Sequence, residues 1–185
     1  MSTQNNNTAL LVMDMQKSIL GMLPNAAVVI GKVAGAISKA RSKGIPVIYV
    51  ALGFRKGAPE ISPNNKGFTT NKPLFANISP EEFTTIHPDL APLENECLVV
   101  KRRVSAFTGS DLEVLLRSLG IQHLVLTGIS TSGVVLSTLR EASDKDYRLS
   151  VLSDGCADRE EEVHQFLVAK IFPRQADVLT VGEWS

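Results

Sequence analysis

Residues 9–13 read Ala-Leu-Leu-Val-Met, an apolar run with no polar interruption, and Asp14 follows at once. A strand with one wet face alternates apolar and polar residues; a strand covered on both faces does not need to. Further strand candidates, apolar apart from Ser150, Ser153, Asp177 and Thr180, lie at Ile45–Ala51, Cys97–Val100, Leu124–Leu126, Leu149–Ser153 and Asp177–Val181. Between these runs the apolar residues take helical spacing. From Pro24 and Asn25 to Lys43, Val28, Val29, Val33, Ile37 and Ala40 fall on such spacings, and Gly44 is a stop. Thr108 to Asp111 leads a helix through Leu119, carrying Leu112, Leu115 and Leu116, with Gly120 closing it. A helix on Val134, Val135, Leu139 and Ala142 runs to about Lys145, and Glu160–Phe172 forms the last one. Strands alternating with helices predict an α/β chain, with a six-stranded parallel sheet between two helical layers.

In 185 residues this makes one domain, residues 1–185, with the Asn-rich residues 1–7 as a flexible tail. Residues 53–94 depart from the pattern. Gly, Pro, Asn and Thr dominate, and only Ser79-Pro80-Glu81-Glu82 promises a short helix. A connection this long is expected to be an active-site or interface loop.

Composition narrows the partners. Nineteen Lys and Arg balance nineteen Asp and Glu, so no charge excess draws the chain to nucleic acid or an anionic membrane. No apolar run spans a bilayer, and the N-terminus has no secretory pattern. Two cysteines, Cys97 and Cys156, make no disulfide framework, so a cytoplasmic setting is expected. The three histidines, His87, His123 and His164, are scattered, and no metal or other cofactor is expected.

In a parallel sheet, ligands bind at the carboxyl ends of the strands. Three informative features lie at such ends: Asp14 after the first run, Lys101 after the third, and Gly128-Ile129-Ser130-Thr131-Ser132-Gly133 after the fourth. A strand turning sharply into a helix aims free backbone N–H groups at one spot, which suits a carboxylate, a phosphate or a developing oxyanion. A Lys beside an Asp in a half-buried cleft holds both ionised or shares a proton for acid–base work. The bland alternatives are a capped strand–helix turn and a solvated Lys101-Arg102-Arg103 run.

These residues carry a resemblance. Leu10 to Gln16, Val99-Val100-Lys101 with Phe107 and Leu112, Leu126 to Thr131, then Thr138, Arg140, Ala142 and Ser153 to Ala157 together resemble the isochorismatase-like hydrolases, also called the cysteine hydrolase family. The resemblance covers nearly the whole chain, in order. It implies a three-layer α/β/α domain, a small-molecule substrate and a homo-oligomer, dimer or tetramer. It further implies that Asp14 and Lys101 flank the position of a nucleophilic cysteine, preceded by a cis peptide bond between Ile129 and Ser130. It places that nucleophile at Val134, and an isopropyl group cannot attack a carbonyl. Metal-binding relatives use Asp and His after the second strand, where this chain has Gly53 to Gly57 without ligands.

The catalytic candidates are therefore Asp14 and Lys101, and the substrate-binding candidates Gln16, Ile129, Ser130, Gly133 and Val134. The expected activity is hydrolysis of a small carboxylate, vinyl ether or amide-like substrate, with Asp14 as general acid and no covalent thiol intermediate. Ser132 is a weaker nucleophile candidate, since no histidine lies in the motif to serve as its base. The alternatives are a degenerate member of the same family that binds a small molecule or a protein partner without turnover, and a nucleotide-binding domain. The second fits poorly, because Gly128–Gly133 is neither a dinucleotide fingerprint nor a P-loop.

Overall fold

The computed structural model describes residues 7–24 and 26–185; the expected tail at residues 1–6 and the helix-starting Asn25 lie outside the described residues. Strand β1 (Thr8–Met13) sits in the middle of the sheet, paired in parallel with β2 (Val47–Leu52) on one side and β4 (His123–Ile129) on the other. Strand β3 (Cys97–Lys101) lies outside β2, and β5 (Arg148–Ala157) with β6 (Asp177–Leu179) lies outside β4. The order β3-β2-β1-β4-β5-β6 is all parallel and reverses between β1 and β4.

The unbroken apolar runs follow from this placement. Ala9, Leu11 and Met13 of β1 point into one core, with Leu112 and Leu116 of α5 (Leu112–Ser118) and Leu139 and Ala142 of α6 (Leu136–Asp144). Leu10 and Val12 point into the other, with Leu20 of α1 (Lys17–Leu20) and Val29, Val33, Ile37 and Ala40 of α2 (Ala26–Ser42). Both sets are fully buried, so either face would lose free energy on taking a polar residue. Gly128 is required where the two central strands end: its φ is 142°, and a Cβ there would lie 2.2 Å from the Met13 carbonyl oxygen.

Four expectations are corrected. Residues 53–94 are not a bare loop: they carry α3 (Lys66–Asn77) and, where Ser79 foretold it, α4 (Pro80–Phe83). The Asn65 side chain caps α3 by accepting from the Phe68 N–H. Pro73 and two threonines inside α3 hid it. The helix is kept by a third apolar cluster, in which Phe68 and Phe75 pack with Phe54 and Phe83. Strand β5 does not stop at Ser153; it runs on to Ala157 after a register shift against β4. The last helix is α7 (Glu161–Phe166), followed by a wide turn, Leu167–Ile171, and a 3₁₀ turn that contains Pro173. The last strand ends at Leu179. Among the described residues no helix is long and apolar enough to cross a membrane.

Candidate active site

At the reversal point between β1 and β4, the chain leaves β1 through Asp14, whose φ is +55° and whose N–H donates to the Val50 carbonyl at 2.8 Å. Asp and Asn enter this left-handed region more readily than most side-chain-bearing residues. The turn throws the Asp14 carboxyl across the end of β2 toward Lys101 at the end of β3. Asp14 Oδ2 and Lys101 Nζ are 3.0 Å apart, and their side chains are 8% and 1% exposed.

Lys101 Nζ also donates to the Arg103 carbonyl at 2.9 Å and the Val104 carbonyl at 3.1 Å. An ammonium has three donors, and each has a partner here. Asp14 Oδ1, by contrast, is buried and has no hydrogen-bond partner. Burial pushes the Asp14 pKa above the ordinary carboxylate value; Lys101 pulls the other way and does not cancel it.

The third part is the exit from β4. The Ile129–Ser130 peptide bond is cis. Residues Thr131–Val135 then form a wide turn in which the Ser130 carbonyl accepts from both Gly133 N–H, at 3.1 Å, and Val135 N–H, at 3.2 Å. The Ser132 N–H donates to Asp158 Oδ2 at 2.7 Å.

These parts share one cavity of about 430 Å³. Asp14, Lys101, Ile129, Ser130, Gly133 and Val134 all border it, as does Ser132. The structure thus brings together six of the seven residues expected there. Gln16 is the exception and is corrected: it is fully buried behind the wall. Its amide donates to the Leu52 and Phe83 carbonyls, and its Oε1 accepts from the Leu52 N–H at 2.7 Å. Leu52 and Phe83 both border the cavity, so Gln16 fixes the wall and does not face a ligand.

Val134 is 2% exposed. Neither cysteine borders the cavity: Cys97 is exposed at the start of β3, and Cys156 is buried in β5 with its thiol pushed up to about 12 by burial. Among the described residues no three His, Cys, Asp or Glu side chains gather as a metal-ligand group.

Sequence reasoning missed two contributions. One is the apolar wall, Phe68, Leu74 and Phe75 of α3 with Phe83 of α4. The other is Asp158-Arg159-Glu160, which follows β5 and borders the cavity beside the β4 turn. Asp158 Oδ1 accepts from the Arg159 N–H, so both its oxygens are engaged by backbone. Arg159 is exposed, and among the described residues its guanidinium hydrogen-bonds only to the Met22 sulfur, at 3.6 Å. The order of strands would have pointed to it, because β5 neighbours β4 and its loop must border the same crevice.

Residues 8–183 match the family model of the isochorismatase domain. An uncharacterized isochorismatase family protein of Escherichia coli O157:H7 is 33% identical over 179 residues, 95% of this chain and 93% of that one. The N-carbamoylsarcosine amidase of an Arthrobacter species is 29% identical over 84% of this chain and 59% of its own length. A solved structure of an isochorismatase family protein from Burkholderia thailandensis superposes with a TM-score of 0.81 at 29% identity, covering 96% of this chain and 93% of that one.

Proposed function

The chain belongs to the isochorismatase family, and from that membership we propose that it is a hydrolase of small molecules in which Asp14 is the general acid, water is the nucleophile and no thiol takes part. The observation that carries this reading is Asp14 in the cavity lining, with one carboxyl oxygen, Oδ1, buried and unpartnered. Lys101 holds Oδ2, so a proton on the carboxyl resides on Oδ1, the oxygen without a partner. Burial favours the protonated form, which an acid must have before it can act.

In the proposed cycle the Oδ1–H bond breaks and its proton passes to the substrate. A water oxygen bonds to the carbon made electrophilic by that proton, and the first proton lost by the water returns to Oδ1. The addition product then collapses, its bond to the leaving oxygen or nitrogen breaking as the second water proton passes to the departing group and a carbonyl is left. A vinyl ether suits this sequence, because its activation needs a proton rather than a strong nucleophile. An amide-like substrate, as the name of the Arthrobacter relative suggests, requires the same proton on its leaving nitrogen. The N–H groups of Ser130 and Val134 supply donors for an oxygen that gains charge.

Lys101 has no donor left for a substrate, so a substrate carboxylate is assigned to Arg159 instead. The rings of Phe68, Phe75 and Phe83 offer an apolar wall for the body between these ends.

The test is a hydrolysis screen over small carboxylates, vinyl ethers and amides. Asp14→Asn is expected to lower the rate by about 10²–10⁴. Iodoacetamide is expected to leave the wild-type rate intact. An undiminished rate in Asp14→Asn, or inactivation with label on Cys97 or Cys156, would refute the assignment. A second reading, binding without turnover, is favoured by Val134, the aliphatic side chain in the cavity wall where the family resemblance expects a nucleophile. It predicts that ligands bind to the wild type and to Asp14→Asn alike while neither turns them over.

A further inference from the structure

The β4 exit turn borders the cavity with three residues in a row, Ser132, Gly133 and Val134, yet little inside the turn ties it down. Its wide winding leaves the Ser130 carbonyl accepting two N–H groups. A Cβ on Gly133 would come within 2.7 Å of Ser130 Oγ, so the winding is also tight at that point. Two holds reach it from outside, both from the segment that follows β5. Asp158 takes the Ser132 N–H, and His164 on α7 meets Thr131, with Nδ1 2.8 Å from Oγ1.

The His164–Thr131 contact is the more demanding of the two. Thr131 is fully buried, and His164 is 8% exposed. Two polar groups withdrawn from water need each other, and removing one leaves the other unsatisfied. A hydroxyl beside an imidazole at the nucleophile segment of a hydrolase also invites a catalytic reading. The geometry is against it: neither Thr131 nor His164 borders the cavity, so the hydroxyl has no access to a substrate carbon.

We propose that His164 is a positioning residue: through Thr131 it fixes the register of the turn, and hence the directions of the Ser130 and Val134 N–H groups and the seat of Val134. The same contact explains why Ser132 has no base: the one histidine near the turn faces Thr131 on the buried side, while Ser132 faces the cavity. This inference rests on reading the cavity as a catalytic site, and its test keeps the two separable.

On a substrate found in the screen, His164→Phe is expected to lower kcat about 10²-fold, the scale of a small misplacement of catalytic groups, while KM changes little. His164→Asn, whose amide reaches the place of Nδ1, is expected to restore most of the rate. Thr131→Val should match His164→Phe, and the double variant should be no worse than either single one. Independently of turnover, backbone amide exchange read by mass spectrometry should quicken across residues 130–135 in His164→Phe and stay at the wild-type rate elsewhere. If the wild type hydrolyses nothing in the screen, the catalytic reading fails, and the exchange data with the 131/164 double variant still decide this proposal. A full rate in His164→Phe, no recovery in His164→Asn, or exchange quickened evenly over the whole chain would overturn it.

Discussion

Two Asp–Lys pairs stand at the carboxyl side of the same sheet, each closed at 3.0 Å, and they do different things. Asp14 and Lys101 are 8% and 1% exposed; Asp154 and Lys32 are 24% and 51% exposed. Both oxygens of Asp154 are engaged, Oδ2 by Lys32 and Oδ1 by the Val181 N–H at 2.7 Å, so the residue ties β5 to the C-terminal segment. Asp14 borders a cavity and keeps one buried oxygen without a partner. The distance between charges is the same, and it says nothing about role. Burial and the unfilled acceptor separate a reactive pair from a structural one.

The largest effect should come from breaking the buried pair on one side. Lys101→Met leaves the Asp14 carboxyl, only 8% exposed, without its cation. Removing one partner of a buried pair costs about 3–5 kcal/mol. The double variant Asp14→Asn/Lys101→Met carries no unpaired charge and should recover much of that loss. Urea unfolding of the two single variants and the double checks this. Additive losses would show that Asp14 and Lys101 do not act as a unit.

How far such a pair can be read from sequence depends on where its residues sit. Asp14 and Lys101 were legible because each closes an apolar run and the parallel sheet brings run ends together. The sheet itself was legible because its strands are covered on both faces and so lack alternation. Helix α3 was not, because Pro73 breaks the local signal and its support is the distant Phe54–Phe83 cluster. The burial of Gln16 behind the wall was not legible, because sequence spacing carries no information about which way a side chain turns after a strand ends. His164 was set aside as scattered: 33 residues separate it from Thr131, and only tertiary packing makes them neighbours.

A smaller effect follows from the raised pKa of Asp14, whose cause is burial. The native state then holds the Asp14 proton more tightly than the unfolded chain does. Below the unfolded carboxylate pKa both states are protonated, and the native preference is fully present. As pH rises toward and through the higher native value, the native state must give up the proton at a cost, and stability falls. Wild-type protein should therefore lose stability relative to Asp14→Asn as pH is raised across that window, in parallel urea titrations. The rate should fall through the same window, because the acid form is the one that acts. A wild-type advantage that grows with pH would mean the carboxylate is the favoured native form, and the acid role would go with it.

The smallest effect belongs to the exposed pair. Lys32 is half exposed on α2, and its ammonium can return to water with little loss when Asp154 is absent. Pairs of this kind are worth about 0–1 kcal/mol. Lys32→Met should therefore shift unfolding by no more than that, and the shift should shrink further in high salt because the pair is open to screening. Asp154 would still hold the Val181 N–H, so the C-terminal segment keeps its anchor. Lys101→Met, measured beside it, should show several times the loss with little response to salt. Similar losses and similar salt responses in the two variants would mean that burial does not separate the pairs. Asp14 would then be, like Asp154, a fastening at the end of a strand rather than an acid held ready in a cavity.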